Sequence, residues 1–284
     1  MNKYIKTKDH HITFETKDDL FSYLRKNKDL LIMEKKASLK EADGFACCYL
    51  KTLPDDKIEV VKSFKDAATI TETYTEVKIA VNATNIIDSY LDLHIPKMWN
   101  RSLKNNKLRY HLQEHKREYE KIIAYPDYIK AYVQTMSFKE LGFDYNMLSE
   151  VLIYQSKMFP SDNAYMIDKY KQGKVKNHSV GMLYVTIELC MNSDNRYDKA
   201  EKDNWEKYYP MAVNPEVADE YGYFWAVLEA KELEGSAVPF GACPTTPTIE
   251  ISESKGLAEG TPLESSKDTL TADDIREIFK ELRN

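Results

Sequence analysis

Between Leu183 and Leu189, apolar Leu183, Val185, Ile187 and Leu189 alternate with Tyr184, Thr186 and Glu188. A period of two is what a strand with one buried face requires. Upstream, Ala164, Ile167 and Tyr170 recur at helical spacing between Asp162 and Gln172, and Gly173 follows as a left-handed cap. The tetrapeptide His178-Ser179-Val180-Gly181 therefore falls where a helix has ended and a long strand begins. A serine at that entrance, with His115 lying 64 residues earlier, supplies the two residue types that a serine nucleophile and its base need.

Other elements follow from local chemistry. Thr16-Lys17-Asp18-Asp19 reads as a helix start, since a threonine oxygen can accept from the exposed N3 amide and acids complement the positive helix end. Leu20, Phe21 and Leu24 then mark a short amphipathic helix. From Gly44 to Val81, β-branched and aromatic residues in short alternating runs predict strands. Pro96 to Leu103 reads as a short helix with Trp99 and Leu103 on one face. Helices are expected over 198–213 and over 214–221, the latter stopping at Gly222, and Tyr223 to Phe240 reads as one long strand or two with a bend near Gly235.

The region from 244 to 270 is rich in Ser, Thr, Pro and Glu and has no aromatic residue. It reads as a flexible linker, because it cannot bury enough to offset its ordering entropy. Thr271 and Asp274 then cap a short amphipathic helix over 271–284, with Ile275, Ile278, Phe279 and Leu282 in one stripe. The expected organisation is an N-terminal helical segment (1–43), a main domain (44–243), the linker and the terminal helix.

Charge and cysteine usage narrow the function classes. The formal net charge is −6, with nine acids and five bases after residue 243, so no basic domain points to nucleic acid. No run of 18 apolar residues and no leader-like apolar stretch is present, which reads as neither secreted nor membrane-spanning. Cys47, Cys48, Cys190 and Cys243 show no CxxC spacing and suit reduced thiols.

Two constellations carry chemistry. His111-Leu112-Gln113-Glu114-His115 fits H-x-x-E-H, in which one helix presents two histidines to zinc and the glutamate acts as base. The other is Ser179 with His115.

Several stretches in order support the second. Asp88-Ser89 with Asp92 and Pro96, then Leu112-Gln113-Glu114-His115, then His178-Ser179-Val180-Gly181, then Glu229 through Phe240 together resemble the prohead (capsid maturation) proteases of tailed bacteriophages, relatives of the herpesvirus assemblins. The similarity covers roughly residues 75 to 243. It implies an α+β fold with a β-barrel-like sheet core flanked by helices, and a serine endopeptidase using Ser179 as nucleophile, His115 as base and Glu234 as the orienting acid. Glu229, His178 and Asp88 remain rival third members, because an insertion-like segment over 192–222 separates Ser179 from Glu234. Backbone amides around Val180 and Gly181 are candidates for an oxyanion hole. The resemblance further implies action in the host cytoplasm inside the assembling prohead, with major capsid protein and scaffold as substrates and no cofactor. Self-cleavage in the tail is expected, and self-association is left open. Two alternatives stand beside it: a catalytically silent scaffold or assembly protein on the same fold, and a zinc hydrolase built on His111 and His115.

Overall fold

The computed structural model describes residues 3–6, 11–38, 73–241 and 243–253. In chain order its elements are β1 (Lys3–Lys6), β2 (His11–Phe14), α1 (Lys17–Ala37), β3 (Thr75–Ala83), β4 (Asp92–His94), α2 (Asn100–Asn105), β5 (Tyr110–Gln113) and β6 (Ile122–Ala124). They continue with β7 (Ile129–Ser137), β8 (Leu148–Met158), α3 (Pro160–Lys171), β9 (Asn177–Met191), α4 (Lys199–Tyr208), α5 (Pro215–Tyr221), β10 (Tyr223–Val238) and β11 (Thr248–Glu253). The fold is α+β. Among the described residues no helix is long and apolar enough to cross a membrane.

The strands form a β1–β2 hairpin, a five-stranded sheet and a four-stranded sheet of order β11-β3-β8-β7. In the five-stranded sheet β10 is the spine. Along one edge it pairs antiparallel with β9 from Tyr223↔Met191 to Val238↔Asn177. Its other edge holds two short parallel strands, β4 opposite Trp225–Val227 and β5 opposite Glu234–Ala237, with β6 beyond β5. The described strands do not close, so the barrel-like core expected from the resemblance is replaced by open sheets packed on each other. Alternation along a strand specifies a buried face and not closure, which depends on stagger between strands.

At Gly235 the two larger sheets pack tightly: a Cβ there would lie 2.8 Å from Tyr154 and 2.9 Å from Val81. Tyr154 and Val81 are fully or almost fully buried. The shared core runs from β3 and β8 across β9 and β10 to α1.

α1 starts as the sequence indicates, with Thr16 Oγ1 accepting from the Asp19 amide at 3.1 Å, but it runs for 21 residues. Leu20 and Leu24 are fully buried. Ion pairs of Arg25 with Asp198 (2.6 Å) and Lys28 with Glu201 (2.5 Å) tie it to the α4 region. α3 and its left-handed Gly173 stand where expected. The proposed Pro96–Leu103 helix is instead a turn through Lys97, whose φ is +74°, followed by α2 from Asn100.

The insertion-like segment is an excursion that closes on itself. Asn192 donates its amide to the Gly222 carbonyl at 2.9 Å, so β9 and β10 pair from the next residues onward as though joined directly. Gly222 caps α5 in the left-handed region, and a Cβ there would come within 3.0 Å of Phe21.

Residues 244–253 depart from the linker expectation. Thr245 and Thr246 are fully buried, and Thr248–Glu253 forms β11 against β3. Order here comes from the ladder and from threonine side chains rather than from an apolar face, a contribution that composition does not reveal. The expected terminal helix and the rest of the linker lie outside the described residues, as does most of the 44–81 strand region.

Candidate active site

His115 follows β5 in a turn in which Glu114 and His115 both have positive φ, +54° and +57°. Successive non-glycine residues in the left-handed region carry backbone strain. Two hydrogen bonds hold the turn in place: Glu114 donates its amide to the Ala237 carbonyl at 2.9 Å, and His115 donates its amide to Ser236 Oγ at 3.1 Å.

Ser236 in turn donates to Glu234 Oε2 at 2.6 Å, while Glu234 Oε1 accepts from His115 Nδ1 at 2.6 Å. One carboxylate thus holds the imidazole directly and the histidine backbone through a serine. All three residues are buried. A carboxylate on Nδ1 favours, for the neutral ring, the tautomer with its proton on Nδ1, which is the one a general base acting through Nε2 requires.

Ser179 lies on the same face. It is paired directly with Ser236 across β9 and β10, and Gly181 is paired with Glu234. Residues two apart on a strand share a face and directly opposed residues have Cβ atoms roughly 5 Å apart, so Ser179, Gly181, Glu234 and Ser236 form one patch with His115 over it. Ser179 retains 9% of its surface exposed.

Gly181 has a different task from the one expected of it. A Cβ at this position would overlap Glu234 Oε1 and come within 2.9 Å of Glu234 Cδ. The glycine clears the space that the acid occupies beside His115. An oxyanion hole built from both Val180 and Gly181 amides is not available, because successive N–H groups on a strand point to opposite edges.

The rival third members are placed elsewhere. Asp88 Oδ1 accepts from the amides of Tyr90 (2.8 Å) and Asp92 (3.0 Å), and burial together with the Asp92 charge pushes its carboxyl up to about 7. Glu229 pairs with Arg101 at 3.1 Å. His178 points to the other face of the sheet, where it and His111 flank Tyr170.

That second cluster is fully buried. His178 Nδ1 donates to the Thr246 carbonyl at 3.0 Å, leaving its Nε2 to accept from the Tyr170 hydroxyl at 2.9 Å. Tyr170 then accepts from His111 Nε2 at 3.0 Å, and His111 Nδ1 has no hydrogen-bond partner. Both histidines are neutral: burial lowers His178 to about 4 and holds His111 well below the ordinary histidine value.

These placements remove the geometry on which the zinc expectation rests. His111 lies on β5 and His115 in the turn after it, with their rings on opposite faces, whereas H-x-x-E-H needs one helix to present both. Among the described residues no cluster of three or more His, Cys, Asp or Glu is arranged to hold a metal ion.

Sequence reasoning missed Ser236 and the true reason for Gly181. Ser236 could have been found from its i+2 spacing to Glu234 on a predicted strand. The comparisons add no relative: no protein-family model matches the chain, and neither the curated proteins nor the solved structures yield a match.

Proposed function

We propose that the chain is a serine endopeptidase of the capsid-maturation type, related in plan to the assemblins, acting inside the assembling prohead in the host cytoplasm on capsid-protein or scaffold segments. The observation that carries the reading is the Glu234–His115 bond at 2.6 Å on the strand face shared with Ser179. A carboxylate-anchored imidazole on the face that carries a serine is the frame in which a hydroxyl can be made nucleophilic.

In the proposed reaction Ser179 Oγ attacks the peptide carbonyl carbon as its proton passes to His115 Nε2. Glu234 stabilises the imidazolium that results. The proton then goes to the departing amine as the C–N bond breaks, leaving an ester on Ser179. Water, deprotonated by the same nitrogen, hydrolyses that ester and restores the hydroxyl. The order of motifs from Asp88 to Phe240 supports the capsid-maturation assignment, and the 244–270 tail, whose first part pairs with β3 as β11, is the proposed region of self-cleavage.

Intact mass spectrometry of wild type and Ser179→Ala, each co-expressed with a tailed-phage major capsid protein carrying its propeptide, tests the reading. Trimming of either protein by wild type and not by Ser179→Ala is expected. Identical masses in the two samples would remove the serine-protease reading and bring forward a silent assembly protein.

A further inference from the structure

Two glutamates of β10, Glu232 and Glu234, face opposite ways although a regular strand would put residues two apart on one face. The register slips between them: Glu232 is paired with Met182 and Glu234 with Gly181, which leaves Leu233 as the extra residue of a β-bulge. Glu232 therefore meets the second large sheet, where Tyr154 Oη donates to its Oε1 at 2.8 Å, while Glu234 meets His115. The placement of this bulge decides where the Glu234 carboxylate points.

The bulge is fixed from outside the sheet. Among the described strands none pairs with this edge of β10 between Val227, opposite β4, and Glu234, opposite β5. α2 and the turn after it fill the gap. Ser102 Oγ accepts from the Glu232 amide at 2.8 Å, and Asn106 Nδ2 donates to the Glu232 carbonyl at 2.9 Å. Arg109 Nε donates to Glu232 Oε1 at 2.5 Å, and the same guanidinium donates to the Asn106 carbonyl. Backbone and side chain of Glu232 are thus held at once, and both Glu232 and Arg109 are buried. Arg109 directly precedes β5, the strand that leads into the His115 turn. One ion pair joins the strand carrying the acid to the strand carrying the imidazole.

Stability alone is a poor account of that ion pair. Glu232 Oε2 has no hydrogen-bond partner among the described residues, and apolar side chains of similar volume often replace buried ion pairs without loss of stability. What they would not supply is position. A one-residue slip moves a strand by about 3.3 Å, more than the whole length of the 2.6 Å His115–Glu234 bond. That bond exists in one register of β5 and with one placement of the bulge.

We infer that Glu232, clamped by Arg109 and Tyr154, is a positioning residue: it fixes the bulge and the β5 register that bring Glu234 onto His115. The inference rests on the endopeptidase reading for its effect on turnover and on the geometry alone for its effect on the His115–Glu234 bond.

The test replaces the ion pair in the full chain by Arg109→Met together with Glu232→Leu, which removes both charges at similar volume. A cooperative urea transition reports that the double variant is folded. In it the downfield proton resonance of His115 Nδ1 should move upfield or disappear. On a synthetic peptide spanning a capsid-protein propeptide junction, kcat should fall by about ten- to hundredfold, with KM changed by less than about twofold. A folded double variant that keeps the wild-type resonance overturns the inference, because a merely structural ion pair would alter the urea midpoint and leave this signal in place. If the double variant does not fold, Tyr154→Phe decides. It removes one hydrogen bond from Glu232 Oε1 and keeps the ring against Gly235, and it should move the resonance in the same direction; an unmoved resonance overturns the inference. The two readings fail separately. Cleavage that requires Ser179 but is indifferent to the double variant sinks the positioning role and leaves the endopeptidase. A resonance that responds as expected in a protein that cuts no peptide keeps the positioning role and sinks the endopeptidase.

Discussion

Gly181 and Ser179 stand two residues apart on one face of β9 and answer to different requirements. In the proposed reaction the serine must reach a substrate, whereas the glycine leaves room for the Glu234 carboxylate. A methyl group at 181 has no way to coexist with the observed acid, so Gly181→Ala should push Glu234 off His115 while leaving the strand in place. The expected loss in kcat is about 10²- to 10⁴-fold, the range over which positioned acid–base catalysis contributes. A readout independent of turnover is the downfield proton resonance of His115 Nδ1, which should be present in wild type and in Ser179→Ala and absent in Gly181→Ala and Glu234→Ala. Retention of that resonance in Gly181→Ala would show that the acid finds another path to the ring. The resemblance pointed to Glu234, but the chemistry of the residues did not rank it above Glu229, His178 and Asp88, because all four can serve in acid–base roles and only the fold shows which of them meets His115.

At the level of elements, the sequence disclosed those whose boundaries are set locally. Thr16 with Asp19, Gly173 and Gly222 all cap where their chemistry indicates. Long-range pairing was hidden. The alternation along β9 predicts Val185 in the core and Tyr184 outside it, yet Val185 is 39% exposed and Tyr184 is buried. A register slip opposite Val227–Ala230 leaves Val185 out of the ladder and reverses the faces. The junction of α1 with β4 was equally hidden, since no local pattern announces that Lys35 Nζ meets Asp92 Oδ1 at 2.5 Å in the interior. Asp92 is fully buried and also accepts from Tyr184 Oη at 2.8 Å. Removing only the cation strands a buried carboxylate, and Lys35→Met should cost about 3–5 kcal/mol in urea unfolding. Adding Asp92→Asn to Lys35→Met should recover part of that loss. A double variant no more stable than the single would mean that packing of the lysine stem, rather than its charge, holds α1 to β4.

Across the whole molecule, ionisable groups buried in separate parts of the structure oppose each other in pH dependence. On one face of the five-stranded sheet His178 and His111 are kept neutral, their folded pKa values depressed by burial. The unfolded chain binds protons at these histidines that the folded chain refuses, so their contribution is present near neutral pH and is lost as pH falls from 6.5 towards 4. For His178 alone, whose value drops from 6.5 to about 4, that amounts to about 3 kcal/mol. Asp88 acts in the other direction. Its folded value is raised from 3.8 to about 7 by burial and by the Asp92 charge, so its contribution is complete below pH 3.8 and is lost as pH rises to about 7. Two histidines outweigh one carboxylate, and wild-type stability should therefore rise by a few kcal/mol between pH 4.5 and pH 6.5. Asp88→Asn keeps an oxygen for the Tyr90 and Asp92 amides and removes the titration, so its rise should be steeper than wild type; His178→Phe should make the rise shallower. Denaturant unfolding of the three proteins at pH 4.5, 5.5 and 6.5 measures these slopes directly. A slope unchanged by Asp88→Asn would mean that Asp88 does not titrate over this range, and a wild-type stability that falls over it would mean that the histidine cluster is protonated in the folded state.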